Sequence, residues 1–551
     1  VAIASLAVSA GPACAQERAL TDAEWSADLH ELVELIRSEH PAPFRHVDED
    51  EWLDRVSTVD ARIPELSDKE IVVEFAKLVA LIRDGHTRLA FPRRHEELAF
   101  SFSHSSPRAP AFESLRFSAL PLRFQVFGDA IYITHATAAL SHLVGAEVLQ
   151  VGQTSAAEAM LELSRVNFND NDMTNRLLVA DRLALPDVLA ALGLIADPTV
   201  VPLVVRLYGS TSSETVRIAP APDGVVALEG NVEHDALPGF RDTHTAKWSE
   251  ALPGLRALFI KLNEVDSDTD DLLVDFIRGE LERAERMGAE RVILDIRHNH
   301  GGSAGYNLGI VQALMRSDYN TYGRFFVLIG RETFSAAQML LNELEQYSDA
   351  LFVGERSGSN PDHYGDPRRV QLENSGLTLR VSRLHWSSWR AFDDRVGTPP
   401  HVPAAPTIDD YMAGRDAALE AALAFEPPET LAGLIAFTFA VNENWHAGNI
   451  MRLRWLTDPR IRERDIPGLG RDLIRLARDY EGRGELSGAL LTYLVGLRMA
   501  PEEREGYVGL GRTAEEMGET GEARRAYERG LEAFPRDEEM REKLASLGKD
   551  P

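Results

Sequence analysis

Residues 291–338 read RVILDIRHNHGGSAGYNLGIVQALMRSDYNTYGRFFVLIGRETFSAAQ, and the alternation inside this stretch decides the fold. Arg291 to Ile296 is a short apolar run of the kind that forms a strand buried on both faces. It opens into Asp295-Ile296-Arg297-His298-Asn299-His300-Gly301-Gly302, where paired glycines let the backbone turn sharply and leave N–H groups unshielded. Asn307 to Met315 has helical character, and Arg324 to Gly330 is a second apolar strand. After Arg331-Glu332-Thr333-Phe334 the spacing becomes helical at Ser335. Ser335 therefore stands on a strand-to-helix turn, at the positive end of a helix.

Working outward, Leu258 to Leu262 reads as a strand, Asp270 to Met287 as an amphipathic helix, and Leu351 to Gly354 as a further strand. Such βαβ alternation predicts an α/β domain with a parallel or mixed sheet. Shorter strands are expected over Val370–Leu372 and Leu377–Leu384. A serine at a helix start is, by position alone, more often a cap than a nucleophile. The same position also suits acyl transfer, since free backbone N–H groups beside the hydroxyl can form an oxyanion hole. A second stretch bears on the choice. Asp68 to Ile82 is an amphipathic helix that ends in Arg83-Asp84-Gly85-His86-Thr87, leaving His86 to project from its end.

The Asp-Ile-Arg-x-Asn-x-Gly-Gly loop, followed by Thr-Phe-Ser-Ala-Ala-Gln, closely resembles the core of the tail-specific, or C-terminal processing, serine peptidases. The Asp84-Gly85-His86-Thr87 step resembles the tricorn-like branch of that family. The resemblance implies a spiral core of the crotonase or Clp-protease type, with Ser335 as nucleophile. It implies an oxyanion hole of N–H groups from Gly301, Gly302 and Ala336. It makes His86 the general base and puts the orienting acid at Asp394 or Asp393. His363, Tyr364 and Asn360 would line the substrate site, with His363 a rival base. The family also uses a Ser/Lys dyad, but no lysine lies between Lys261 and Lys543, so the histidine mechanism is the simpler expectation. No metal and no cofactor are expected, because His298 and His300 have no third ligand nearby. Retinoid-binding proteins are built on the same core, so a catalytically inactive binding protein for a lipid or peptide ligand is the alternative to a serine peptidase.

The rest of the chain surrounds this core. At 551 residues, with 44% hydrophobic and 26% charged residues, several soluble domains are expected. A net charge of −29 argues against nucleic acid or anionic membrane surfaces as partners; a peptide or protein substrate is what the family resemblance implies. Residues 1–16 resemble the remnant of a secretory signal ending in Ala13-Cys14-Ala15, so an exported, periplasmic or extracellular protein is expected. Cys14 is the only cysteine, so no disulfide is expected. Residues 17–112 read as an N-terminal helical domain, including a polar loop over 94–111. Residues 113–225 read as a PDZ-like α+β module with a hairpin turning at Gly128-Asp129, though the 165–197 insertion fits that module poorly. Residues 226–427 form the catalytic core, and 428–551 a helical region. In the last, Gly484/Gly518, Ala489/Ala523, Tyr493/Tyr527 and Pro501/Pro535 repeat with a 34-residue period, the tetratricopeptide spacing. Such repeats could recruit a protein partner or merely cap the enzyme.

Overall fold

The computed structural model describes residues 19–93, 113–221, 227–266, 272–321, 323–387, 393, 395–426 and 466–547. The expected signal remnant at 1–16, the expected loop at 94–111, Asp394 and the 428–465 part of the C-terminal region lie outside the described residues.

Three helices begin the fold: α1 (Asp22–Glu39), α2 (Glu49–Arg62) and α3 (Asp68–Ala80). Capping boxes start α1 (Thr21 with Glu24) and α3 (Ser67 with Glu70), satisfying amides that the first helical turn leaves open. On α1 the stripe Trp25, Leu29, Leu32 and Ile36 is fully buried, as its helical spacing predicts. The indole N–H of Trp25 donates to Asp68 at 2.8 Å and locks α1 onto the start of α3. The chain leaves α3 through Arg83–His86 into a short strand, β1 (Arg88–Leu89).

An antiparallel sheet follows. Strands β2 (Leu122–Phe127) and β3 (Ala130–Ala136) form the expected hairpin, and β4 (Glu147–Val151) and the short β5 (Thr154–Ser155) come next. After helix α4 (Ala156–Ser164), the 165–197 stretch supplies α5 (Asp172–Leu183) and α6 (Pro186–Ala191). Strands β6 (Val201–Arg206) and β7 (Ser213–Ile218) complete the order β2-β3-β4-β6-β7, with β5 on β4.

A short helix α7 (Val232–Asp235) leads to the α/β core. Its elements are β8 (Lys247–Leu252), β9 (Ala257–Leu262), α8 (Leu273–Met287), β10 (Arg291–Asp295), α9 (Asn307–Met315), β11 (Phe325–Ile329), α10 (Ala336–Tyr347) and β12 (Leu351–Gly354). With β17 (Val402–Pro403) they form a six-stranded sheet in the order β17-β12-β11-β10-β9-β8. All neighbours are parallel except β8, which runs antiparallel on the edge against β9. Alternate residues serve opposite faces. Leu258, Ile260, Val292 and Leu294 join the cluster under α8, α9 and α10, while Phe259, Ile293 and Phe326 join one with α12 (Ala417–Ala424), which follows the short α11 (Ile408–Met412). Burial on both sides explains why these strands are unbroken apolar runs.

Between β12 and β17 the chain forms β13 (His363–Gly365), β14 (Arg368–Gln371), β15 (Thr378–Val381) and β16 (Leu384–Trp386). The single strand expected over Leu377–Leu384 is thus divided: β15 joins β14 and β1, whereas β16 pairs, among the described residues, only with β13. This division docks the N-terminal helices on the core. β1 pairs with β15 (Arg88 opposite Arg380, Leu89 opposite Leu379). The fully buried Asp28 of α1 accepts backbone N–H groups of Asn374 and Ser375 at 2.9 and 2.8 Å. Leu372, Leu377, Leu379 and Val381 accordingly share one hydrophobic cluster with α1–α3 and the β2–β7 sheet.

The C-terminal helices are α13 (Ile466–Gly482), α14 (Leu486–Met499), α15 (Arg504–Glu516), α16 (Thr520–Ala533) and α17 (Glu538–Ser546), with their own hydrophobic cluster. The period seen in the sequence has a structural counterpart. Tyr493 donates to Glu481, and Tyr527, one period later, donates to Glu515. Gly484 and Gly518 both take positive φ at the turns. No helix among the described residues is long and apolar enough to cross a membrane.

Candidate active site

The strand-to-helix turn at Ser335 is strained. Ser335 has φ 55° and ψ −123°, a region that residues with a Cβ seldom occupy, and its side chain caps nothing in α10. The hydroxyl instead meets His86: Nε2 lies 2.9 Å from Ser335 Oγ, across 249 positions of sequence. A serine held on a sharp turn before a helix, with its Oγ presented to a histidine, has the form of a nucleophile elbow.

The glycine loop lies directly against this turn. A Cβ on Gly301 would stand 2.7 Å from Ser335 Cβ and 2.9 Å from the Ala336 amide, so only glycine fits there. Gly301 and Gly302 both take positive φ (107° and 133°). Val265 bridges the loop, donating to Gly301 O and accepting from Ser303 N at 2.7 Å each, which leaves the Gly302 amide outside that bridge. Ala336 is the first residue of α10, where a helix has no acceptor of its own for the amide. One expected donor is corrected here. The Gly301 amide donates to Asn299 Oδ1 at 2.9 Å, so it is already engaged. Asn299, fully buried, also donates to Leu262 O at 3.0 Å and accepts from Phe334 N at 3.0 Å. It therefore fixes the loop to β9 and to the residue before Ser335.

His86 is buried, with its ring stacked on Phe334 (centroids 4.6 Å apart) and on His363 (5.7 Å). Burial pushes its pKa down to about 3; the Asp84 charge opposes this, and His363, Arg88 and Arg380 add to it. The imidazole is therefore neutral near pH 7, the form that accepts a proton from a hydroxyl. Its Nδ1 is buried and has no hydrogen-bond partner among the described residues. Asp84 accepts the His86 backbone N–H at 2.9 Å and meets His40 Nε2 at 3.2 Å. Burial alone would raise the Asp84 carboxyl, but the His40 hydrogen bond, the nearby His86 and the Ser382 and Thr87 hydroxyls hold it well below the carboxylate range.

Asp393 makes no hydrogen bond to the His86 ring, whose Nε2 meets Ser335 and whose Nδ1 has no partner among the described residues. Its oxygens accept from Arg395 Nε and a terminal nitrogen at 2.8 Å each, and Arg395 also pairs with Glu345 at 2.9 Å. A guanidinium so close takes both carboxylates in its fork, which is the simple ion-pair outcome for this residue. Of the expected substrate-site residues, His363 is buried and its Nδ1 meets Asn360 O at 3.0 Å, so it stacks on the base instead of replacing it. Tyr364 lies against His40 and His385. Asn360 is taken up internally: it donates to Asp170 O at 3.0 Å and accepts from Asn171 at 3.2 Å.

His298 and His300 diverge. His298 Nδ1 lies 2.9 Å from Lys261 Nζ, and His300 Nε2 lies 3.3 Å from Glu332. Among the described residues no group of three or more metal-ligating side chains occurs. Beneath the loop, Lys261 is fully buried and donates to Asp295 at 3.0 Å and to Gly239 O at 2.8 Å. Arg297 joins Asp295 (2.8 Å) to Asp416 (2.7 Å). Burial opposes ionisation of Asp295, but Arg297 and then Lys261 overcome it and hold the carboxyl well below its usual range. Asp295→Ala should leave two cations short of a partner and cost about 3–5 kcal/mol of stability. Urea unfolding measures this, and a loss below about 1 kcal/mol would mean that Asp416 alone neutralises the cluster.

Comparison with known proteins adds the following. The tetratricopeptide repeat family model matches residues 504–547. No curated protein matches the chain in sequence. Among solved structures, mature CPAF in complex with lactacystin is 14% identical, with 73% of this chain and 97% of that chain covered and a TM-score of 0.49. The photosystem II D1 C-terminal processing protease is 15% identical, with 72% and 98% covered and a TM-score of 0.35. The tricorn protease is 12% identical, with 73% and 36% covered and a TM-score of 0.31. The described residues form a mixed α/β protein, and its C-terminal helices include a match to the tetratricopeptide repeat family over residues 504–547.

Proposed function

We propose that this chain is a serine hydrolase that cleaves peptide bonds, with Ser335 as nucleophile and His86 as general base. The observation that carries the reading is the 2.9 Å hydrogen bond between Ser335 Oγ and the neutral His86, made from two segments far apart in sequence. Ser335 Oγ attacks the scissile carbonyl as its proton passes to His86 Nε2. The resulting oxyanion is held by the amides of Gly302 and Ala336, and His86 then returns the proton to the leaving amine. Water, activated by the same histidine, releases the acyl group. No step requires a metal or a cofactor. Asp394 is the proposed orienting acid, to be engaged at Nδ1, which has no partner among the described residues.

The substrate in this reading is a peptide or protein, met in an exported compartment as residues 1–16 suggest. The C-terminal repeats are proposed to recruit a protein partner. One observation favours the alternative, an inactive lipid- or peptide-binding protein on the same core: His86 Nδ1 has no acceptor among the described residues. Reaction with a fluorophosphonate separates the two. A hydrolase is labelled at Ser335 and loses the label in Ser335→Ala, whereas a binding protein takes no label.

A further inference from the structure

The polar run Asn167-Phe168-Asn169-Asp170-Asn171-Asp172, between α4 and α5, lies against both halves of the site. Along 357–360 of the core it is laced by hydrogen bonds. Asn171 Nδ2 donates to Ser357 O and Asn360 Oδ1 at 3.2 Å each, Asn360 Nδ2 donates to Asp170 O at 3.0 Å, and Thr174 donates to Gly358 O. Asp170 adds a third segment. Its Oδ1 accepts the Gly85 amide at 2.7 Å, and its Oδ2 meets the Ser359 hydroxyl at 2.6 Å. Gly85 is the residue before His86, and it has no room for a side chain. A Cβ would stand 2.6 Å from the Phe334 ring and 2.8 Å from Asp170 Oδ1. The turn carrying the base is thus gripped between Asp170 and the residue that precedes Ser335.

We propose that Asp170 is a positioning residue for His86: its carboxyl fastens the Gly85 amide, and with it the base, to Ser359 of the α/β core. This rests on the reading of Ser335 and His86 as nucleophile and base. The N-terminal helices are held to the core independently, by the β1–β15 ladder and by Asp28. Losing the clasp should therefore loosen the site and spare the fold. Displacing a reacting group by about 1 Å costs on the order of a hundredfold in rate. The clasp needs an acceptor for Gly85 and a partner for Ser359, not a full negative charge. Desolvation, and then the Asp84 charge, push the Asp170 carboxyl up to about 7, so the neutral form is well populated near pH 7. An asparagine can make both contacts, accepting from Gly85 through Oδ1 and donating to Ser359 through Nδ2.

The test uses the full chain, a short peptide substrate and a fluorophosphonate. Asp170→Ala is expected to lower kcat about a hundredfold with KM little changed, to slow Ser335 labelling in parallel, and to keep a cooperative melting transition. Asp170→Asn is expected to restore most of both rates. Ser359→Ala, which removes one side of the clasp, should fall between the two; if Asp170→Ala does not fold, Ser359→Ala carries the test, and an unchanged kcat there overturns the proposal. Wild-type kcat in a folded Asp170→Ala also overturns it, as does an Asp170→Asn variant as impaired as alanine. A wild-type protein inert to both reagents would instead defeat the reading of the site itself.

Discussion

Ser335→Ala is expected to lower peptide turnover by about five to six orders of magnitude, the scale seen when a nucleophile is removed from a Ser–His unit. It should do so without unfolding the protein. Were Ser335 only a helix cap, alanine would cost about 1 kcal/mol of stability and leave turnover intact. The geometry argues otherwise, since the hydroxyl caps nothing in α10 and points to His86 Nε2. Alanine removes one hydrogen bond, worth about 1 kcal/mol, and keeps the strain of the turn. Glycine tolerates φ 55° without that strain. Ser335→Gly should therefore be as inactive as alanine yet more stable, by about 1 kcal/mol. Turnover together with thermal melting of both variants checks this. If alanine keeps more than a hundredth of wild-type turnover, the nucleophile lies elsewhere.

The parts of the molecule legible in its sequence are those where local pattern and tertiary role agree. Arg291–Ile296, Arg324–Gly330 and Leu351–Gly354 are apolar because a parallel sheet is covered on both faces, so their composition announces their place. The glycine pair and the serine before a helix were legible for the same reason, since each demands a particular backbone. What the sequence did not disclose depends on distant partners. Asp170 sits in a run of asparagines and aspartates that reads as an ordinary turn, and its acceptor role exists only once Gly85 and Ser359 come together. The Gly301 amide looked free until Asn299, two residues earlier, turned its side chain back onto it. The split of Leu377–Leu384 into two strands follows from two different neighbours, β14 with β1 on one side and β13 on the other. Asp393 was placed by motif spacing, but the adjacent Arg395 competes for its carboxylate and wins at 2.8 Å.

His86→Ala should be nearly as damaging as loss of the serine, on the order of 10⁴–10⁶ in kcat, because the two groups act as one unit. The wild-type pH profile then identifies the base. Catalysis needs the unprotonated imidazole, and burial has pushed its pKa down to about 3 against an ordinary 6.5. A depressed pKa keeps the base neutral as the solution is acidified. The rate constant kcat/KM should therefore hold level from about pH 8 down through 6.5 and fall only well below it. An acid limb centred at or above 6.5 would show that the base is more exposed than this geometry allows. The same profile tests the acid. As the proton arrives on Nε2, the imidazolium needs a negative neighbour; Asp84 supplies charge through its bonds to the His86 backbone and His40, but Nδ1 itself has no acceptor among the described residues. If Asp394 takes that position during turnover, Asp394→Asn should cost about three to four decades in rate. Asp393→Asn should leave the rate nearly unchanged and lower stability instead, because it weakens the buried fork on Arg395. The reverse pattern, with Asp393 controlling rate and Asp394 silent, would mean that the Arg395 pair opens on substrate binding and frees Asp393 for the histidine.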